Sequence, residues 1–215
     1  MQPRLVLLRP RNADNLVAIA ATMARHGWTE WVLVSEQVHL DNMREVLRKH
    51  REPTPFAEHV ERARRVDSLK QALEGCTWVV GTSMRAFSRK PRFTARELAA
   101  EVRARGEAPW ALVFGAEANG MTLEDVAPCD ALSYLPSSEE QPSLNLAQAV
   151  LLYAYELSLP SRLNPQLVAS MHAKFGAHEA EALLAPLERA SLTEAEQSGW
   201  IAALKEYGVA SRDAT

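Results

Sequence analysis

Short apolar runs rich in β-branched residues recur along this chain, separated by stretches of helical periodicity, and that alternation constrains the fold more than any other feature. Five runs are strong: "RLVLL" (4–8), "WVLV" (31–34), "TWVVGT" (77–82), "WALVFG" (110–115) and "ALSYL" (131–135); a weaker sixth lies in "ARRV" (63–66). Nearly continuous apolar runs without polar alternation suit strands buried on both faces. Helical patterns occupy about 15–26, 42–49, 68–74, 94–104 and 122–127, and a long one spans about 144–159. Strand and helix in alternation, joined by short connections, predict an α/β fold built on a mostly parallel sheet with helices on both faces.

The pattern changes after "SLPSRLNPQ" (158–166), whose two prolines interrupt it. Beyond lies only helical periodicity, with a helix stop in "PLERAS" and a Thr193-led N-cap followed by acids in the first turn. The expected organisation is one domain over 1–160 and a helical extension of two or three helices over 161–215. A length of 215 residues leaves little room for two complete domains. With 47% hydrophobic and 24% charged residues, disorder is excluded as the general state.

No apolar run reaches the roughly 18–20 residues that span a bilayer, and "MQPRLVLLRP" lacks the pattern of a signal peptide, so a cytoplasmic protein without membrane or metal partners is expected. Cys76 and Cys129 stand far apart in apolar surroundings, as two buried thiols rather than a zinc site or a disulfide. The net charge of −3 hides an uneven distribution: residues 43–66 hold seven Lys/Arg against four acids and 84–106 seven against two, whereas 177–215 hold seven acids against three bases. Such a basic body is compatible with binding a polyanion on one face, and equally with solvated helix faces.

Ligands of open α/β sheets bind outside the carboxyl ends of the strands. There the chain places Thr82, Ser83 and Arg85 after one strand and Gly115, Glu117, Asn119 and Gly120 after another. Asn12, Asp14 and Asn15 follow the first. Gly115 and Gly120 bracket Glu117 in a tight loop, where glycine permits positive φ and close approach of a ligand. Glu117 either serves that loop or caps the helix after Thr122. Neither GxGxxG nor GxxxxGK[ST] occurs, so a nicotinamide or ATP site has no support. "QPSLNLAQAV" (141–150) opens the long helix; Ser143 reads as its N-cap, and Asn145 then falls inside the first turn, where capping does not need it and its amide can serve a ligand.

Taken in order, "VFGAEANGMTLEDVAPCDALSYLPSSEEQPSLNLAQAVLLYAYEL" resembles the paired C-terminal motifs of the SPOUT methyltransferases of the SpoU/TrmH branch, and most of all their TrmJ-type tRNA/rRNA ribose 2′-O-methyltransferases. The likeness runs continuously over about 45 residues and extends through "GCTWVVGTSMR" to cover roughly 4–158. It implies a SPOUT fold with a C-terminal trefoil knot, a homodimer, S-adenosyl-L-methionine as cofactor, and RNA (tRNA or rRNA) as substrate. By matching position the cofactor would lie against Thr82, Ser83, Met84, Gly115, Glu117, Gly120, Leu135, Pro142, Ser143 and Leu144. Glu117, Ser143, Asn145 and Asn15 are the implied catalytic residues.

The first motif of that family resembles Asn-x-Gly-Asn-Ile-Gly-x-x-x-Arg; here Asn12 and Asn15 are kept, while both glycines are replaced and Ala21 stands in the arginine position. Arg25, one turn further on, and Arg9, Arg11 and Arg85 are the available cations. The alternative to an active transferase is a degenerate relative that binds cofactor or RNA with little or no transfer.

Overall fold

The computed structural model describes residues 2–36, 38–50, 54–87, 90–138, 140, 143–159, 163–190 and 192–209. Its sheet has seven strands: β1 (Arg4–Leu8), β2 (Trp31–Val34), β3 (Arg64–Val66), β4 (Trp78–Thr82), β5 (Arg92–Thr94), β6 (Trp110–Phe114) and β7 (Ala131–Tyr134). They lie in the order β3-β2-β1-β6-β4-β7-β5, and every neighbouring pair is parallel. The α/β class and parallel sheet expected from the apolar runs are therefore present, and the weak sixth run is an edge strand. β5 was not expected, because "RFT" is three residues long with an exposed arginine and offers no apolar run. Short, arginine-bearing edges blunt the sheet against pairing with another chain.

Helix α1 (Ala13–His26) starts where Asn12, in an extended conformation, accepts a hydrogen bond from the Asn15 N–H, and it ends at Gly27 with φ 70°. Leu16, Ile19, Ala20 and Met23 form its fully buried stripe. α1 packs with α7 (Leu146–Ser158) on the sheet face that carries Phe114 and Ser133. Tyr153 of α7 meets Phe114 edge-on at 5.5 Å and donates from its hydroxyl to Ser133 at 2.9 Å. The other face carries Val6, Val32, Val113 and Leu132, packed with Ala72 of α4 (Leu69–Leu73) and with Met121 and Val126 at α6 (Leu123–Val126).

Between β2 and β3 the chain forms α2 (Leu40–His50) and α3 (Thr54–Arg62). α3 was not expected from the sequence; it buries Phe56 and Val60 and packs with α1.

The chain divides into two compact units, one comprising Gln2–Ala95 with Glu107–Ser158, the other Arg96–Gly106 with Leu159–Thr215. The second unit contains nearly all of α5 (Ala95–Arg105), with α8 (Pro165–Phe175), α9 (Ala177–Arg189) and α10 (Glu194–Val209). Leu167, Met171, Ala180, Leu184 and Ile201 form its core. Arg103 pairs with Glu188 and Arg189 with Glu101 at 2.7 Å, tying α5 to α9 across more than 80 residues of sequence. The expected stop at "PLERAS" comes later than Pro186, which sits inside α9. Thr193 caps as expected, its hydroxyl accepting from the Glu196 N–H while the Glu196 carboxylate accepts from the Thr193 N–H. Among the described residues no helix is long and apolar enough to cross a membrane.

Candidate functional site

β1 and β6 are neighbours, yet the chain leaves them toward opposite faces of the sheet: β1 leads into α1 on the Phe114 face, and β6 leads through Met121 into α6 on the Val113 face. A crevice opens at such a switch point, at the carboxyl ends of the strands. Register brings those ends level, with Phe114 opposite both Leu7 and Thr82, and Thr82 opposite Ser133. A cleft of about 490 Å³ occupies this place.

Its lining gathers the residues named from the sequence. Thr82, Ser83 and Met84 come from the end of β4. Gly115, Glu117 and Gly120 come from the loop after β6, and Leu135 from the end of β7. Ser143, Leu144 and Asn145 precede α7, and Asn15 projects from the first turn of α1. Pro142 lies outside the described residues. Phe114, Ser133 and Tyr153 also line the cleft and were missed; only the position of Phe114, at the end of a buried strand, could have signalled its part.

The loop after β6 closes on itself, with the Ala116 N–H donating to the Gly120 carbonyl at 3.1 Å and the Gly120 N–H to the Ala116 carbonyl at 2.7 Å. A Cβ on Gly115 would stand 2.2 Å from the Gly120 carbonyl carbon, and Gly120 has φ +65°, so both glycines are required by the backbone. Thr122 and Asp125 cap α6 reciprocally, which overturns the reading of Glu117 as its cap.

Glu117 instead accepts the Arg11 N–H on one carboxylate oxygen at 3.1 Å and the Asn15 side-chain amide on the other at 2.5 Å. The Asn145 amide donates in turn to the Asn15 carbonyl oxygen at 2.9 Å. Asn145 also corrects an expectation. α7 begins at Leu146, and the Asn145 carbonyl oxygen accepts from the N–H of Ala147 at 2.8 Å, so Asn145 rather than Ser143 is the N-cap. One residue thus fixes the helix start through its oxygen and faces the Glu117–Asn15 pair through its nitrogen. The resulting chain joins the β1–α1 loop, the β6 loop and the start of α7. Both amide nitrogens keep a second N–H, and each carboxylate oxygen keeps a lone pair.

The four arginines weighed as substitutes at the Ala21 position are placed differently. Ala21 itself is buried in α1. Arg25 is exposed and lies over the Phe56 ring at 4.7 Å, outside the cleft lining. Arg9, at φ +49°, makes two bonds to Asp125, at 3.1 and 2.6 Å. Burial alone would raise the Asp125 carboxyl, but the bonds from Arg9 and Thr122 hold it below its ordinary value. Arg11 supplies its backbone N–H. Of the four, Arg85 alone lines the cleft, its guanidinium donating to the carbonyls of Asn119 at 2.9 Å and Met121 at 2.6 Å.

Much of the basic stretch 43–66 is paired with acids: Arg44 with Glu61 and Asp41, Lys49 with Glu45, Arg62 with Glu58, Arg65 with Glu36. That stretch is a solvated, ion-paired face. Burial pushes the Cys129 thiol up to about 12 and also raises that of half-buried Cys76, so both are poor nucleophiles near neutrality. No cluster of three His, Cys, Asp or Glu side chains able to hold a metal occurs among the described residues.

Residues 2–155 match the SpoU rRNA Methylase family. The chain is 35% identical over 158 residues to the tRNA (cytidine/uridine-2′-O-)-methyltransferase TrmJ of Pectobacterium atrosepticum, an alignment that covers 73% of this chain and 64% of that protein. The chain thus spans just under two thirds of the length of this relative. Among solved structures, a probable methylase family protein from Haemophilus influenzae is 26% identical with a TM-score of 0.65, covering 97% of this chain and 98% of that one. TrmJ from Z. mobilis shares the fold at a TM-score of 0.63 and 24% identity, over 97% of this chain and 100% of that one.

Proposed function

The chain belongs to the SpoU rRNA methylase family, and from that premise we propose that it is a cytoplasmic S-adenosyl-L-methionine-dependent RNA ribose 2′-O-methyltransferase, acting on tRNA or rRNA as a homodimer. The observation that carries this reading is the hydrogen-bonded chain Glu117–Asn15–Asn145 on the wall of the cleft.

The cleft fits the cofactor in size and chemistry. About 490 Å³ is within the range of small-molecule sites, which combine apolar walls with a few polar groups. Met84, Leu135 and Leu144 supply apolar surface for an adenine, and the two glycines of the β6 loop leave its backbone open to approach. Thr82, Ser83 and Ser143 add polar groups at the rim. When bound, the cofactor supplies an electrophilic methyl group on a sulfonium.

A ribose 2′-hydroxyl is a feeble nucleophile near neutrality, so positioning and polarisation must provide most of the acceleration. The remaining N–H groups of Asn15 and Asn145 can hold the hydroxyl oxygen, and a free lone pair of Glu117 can accept its hydrogen. Glu117 is itself clamped from two sides, which keeps the array preorganised.

The test is incubation with labelled cofactor and total RNA from cells lacking the protein, followed by nucleoside mapping, with calorimetry of cofactor binding alongside. Cofactor binding with a 2′-O-methylated nucleoside is expected. Cofactor binding without transfer would favour the degenerate alternative, and no cofactor binding would defeat the transferase and the cofactor-binding form of that alternative, leaving only an RNA-binding relative.

A further inference from the structure

Arg85 and Arg92 each combine a backbone-carbonyl anchor with an aromatic ring beside the cleft; Arg64 also donates to carbonyls, of Gln71 and Ala72, but stands on β3 at the opposite edge of the sheet. Arg9, Arg44, Arg62 and Arg65 each meet a carboxylate. Arg85 donates to the carbonyls of Asn119 and Met121 and lies over the Phe87 ring at 4.6 Å. Arg92 donates to the Met84 carbonyl at 3.0 Å and lies over the Tyr134 ring at 4.7 Å. Met84, Asn119 and Tyr134 all line the cleft. Each guanidinium is therefore fixed by one nitrogen to backbone oxygen and by one face to an aromatic ring, with no carboxylate in hydrogen-bond contact among the described residues. Carbonyls and rings orient a cation without neutralising it. Both side chains are exposed, and the remaining N–H groups of each are available to an anion.

We propose that Arg85 and Arg92 form a phosphate-binding rim at the cleft mouth, gripping the phosphodiester backbone of the RNA that enters it. The inference rests on the RNA reading above and adds the residues that hold the strand. Guanidinium suits this work because its planar fork can give two parallel hydrogen bonds to phosphate oxygens. Ion-paired Arg44, by contrast, would have to surrender Glu61 and Asp41 first.

The experiment is equilibrium binding of bulk tRNA without cofactor, over a series of salt concentrations, for the wild type, Arg85→Gln, Arg92→Gln, Arg92→Lys and Arg44→Gln. Each Gln variant at the rim should weaken binding on the order of tenfold at low salt. Each should also flatten the plot of log K against log salt by about 0.7–0.9 for one lost phosphate contact. Arg92→Lys should recover most of that slope, and Arg44→Gln should leave it unchanged. Since Arg85 also braces the β6 loop, Arg92→Gln, anchored elsewhere, decides the matter if Arg85→Gln is poorly folded by thermal denaturation.

Wild-type slopes in both Gln variants overturn the proposal alone; a wild type that binds neither tRNA nor, in the same assay, rRNA overturns the functional reading with it. Calorimetry separates the two sources of anion. A loss of S-adenosyl-L-methionine affinity in Arg92→Gln, with tRNA binding intact, would assign the rim to the cofactor carboxylate and overturn the phosphate assignment.

Discussion

At the scale of single residues, the cleft depends on which atom of each amide faces which neighbour. Asn15 presents its nitrogen to Glu117 and its oxygen to Asn145, so its orientation is fixed from both sides. Glu117→Gln keeps the shape but turns one acceptor into a donor, while the Arg11 N–H and the Asn15 amide both still need an acceptor. If Asn15 turns over to suit the new amide, its nitrogen then faces the nitrogen of Asn145. The mismatch is passed along the chain rather than absorbed, and one unsatisfied polar group costs about 1–3 kcal/mol. Glu117→Gln should therefore lower the transfer rate by one to two orders of magnitude while shifting the thermal midpoint only slightly, since the site lies at the surface end of the sheet. A rate within twofold of wild type would remove Glu117 from the mechanism. Sequence marked these three residues as unusual, but it could not tell that Asn145 caps α7 and contacts Asn15 at once, because the two depend on where the helix starts to within one residue.

At the scale of elements, the strands were readable because their apolar runs have no competing periodicity, and the two missed elements show where that signal fails. β5 is held by pairing with β7 rather than by its own burial. The sequence of α3 begins with "TPFAEHVER", whose proline reads as an interruption although it falls in the first turn, where proline is tolerated. The connection of β1 to α6 was not readable either, since Arg9 and Asp125 lie 116 residues apart. This pair holds a non-glycine residue at φ +49° and meets the capping box of α6. Because the native Asp125 carboxyl titrates below its unfolded value, its contribution to stability is complete above the unfolded pKa of about 3.9 and is lost as pH falls through the lower native value. Urea unfolding of the wild type and Asp125→Asn should differ most from pH 5 to 7, with the gap closing as pH drops toward 3. A gap that widens in acid would contradict this linkage.

At the scale of the whole molecule, two exposed surfaces stand out among the described residues of the first unit, and they differ in character. One is the cationic rim of the cleft. The other is the outward side of α7, where Leu151, Leu152 and Tyr155 are 47%, 41% and 54% exposed while Leu146, Val150, Tyr153 and Ala154 are buried on the opposite side. A helix that is apolar all round belongs in an interior. Such a face suits burial against another molecule, and in the homodimer proposed above a second copy would offer the same face to itself, as two-fold pairing requires. Since Asn145 caps the start of α7, ordering α7 at an interface would also steady the end of the chain Glu117–Asn15–Asn145. Leu151→Glu puts a charge into that interface and leaves the buried side of α7 untouched. Sedimentation should show a wild-type dimer at micromolar concentration and a folded monomer for the variant, with transfer reduced by tenfold or more. A monomeric wild type would refute the dimer, and a monomeric variant of full activity would separate assembly from catalysis.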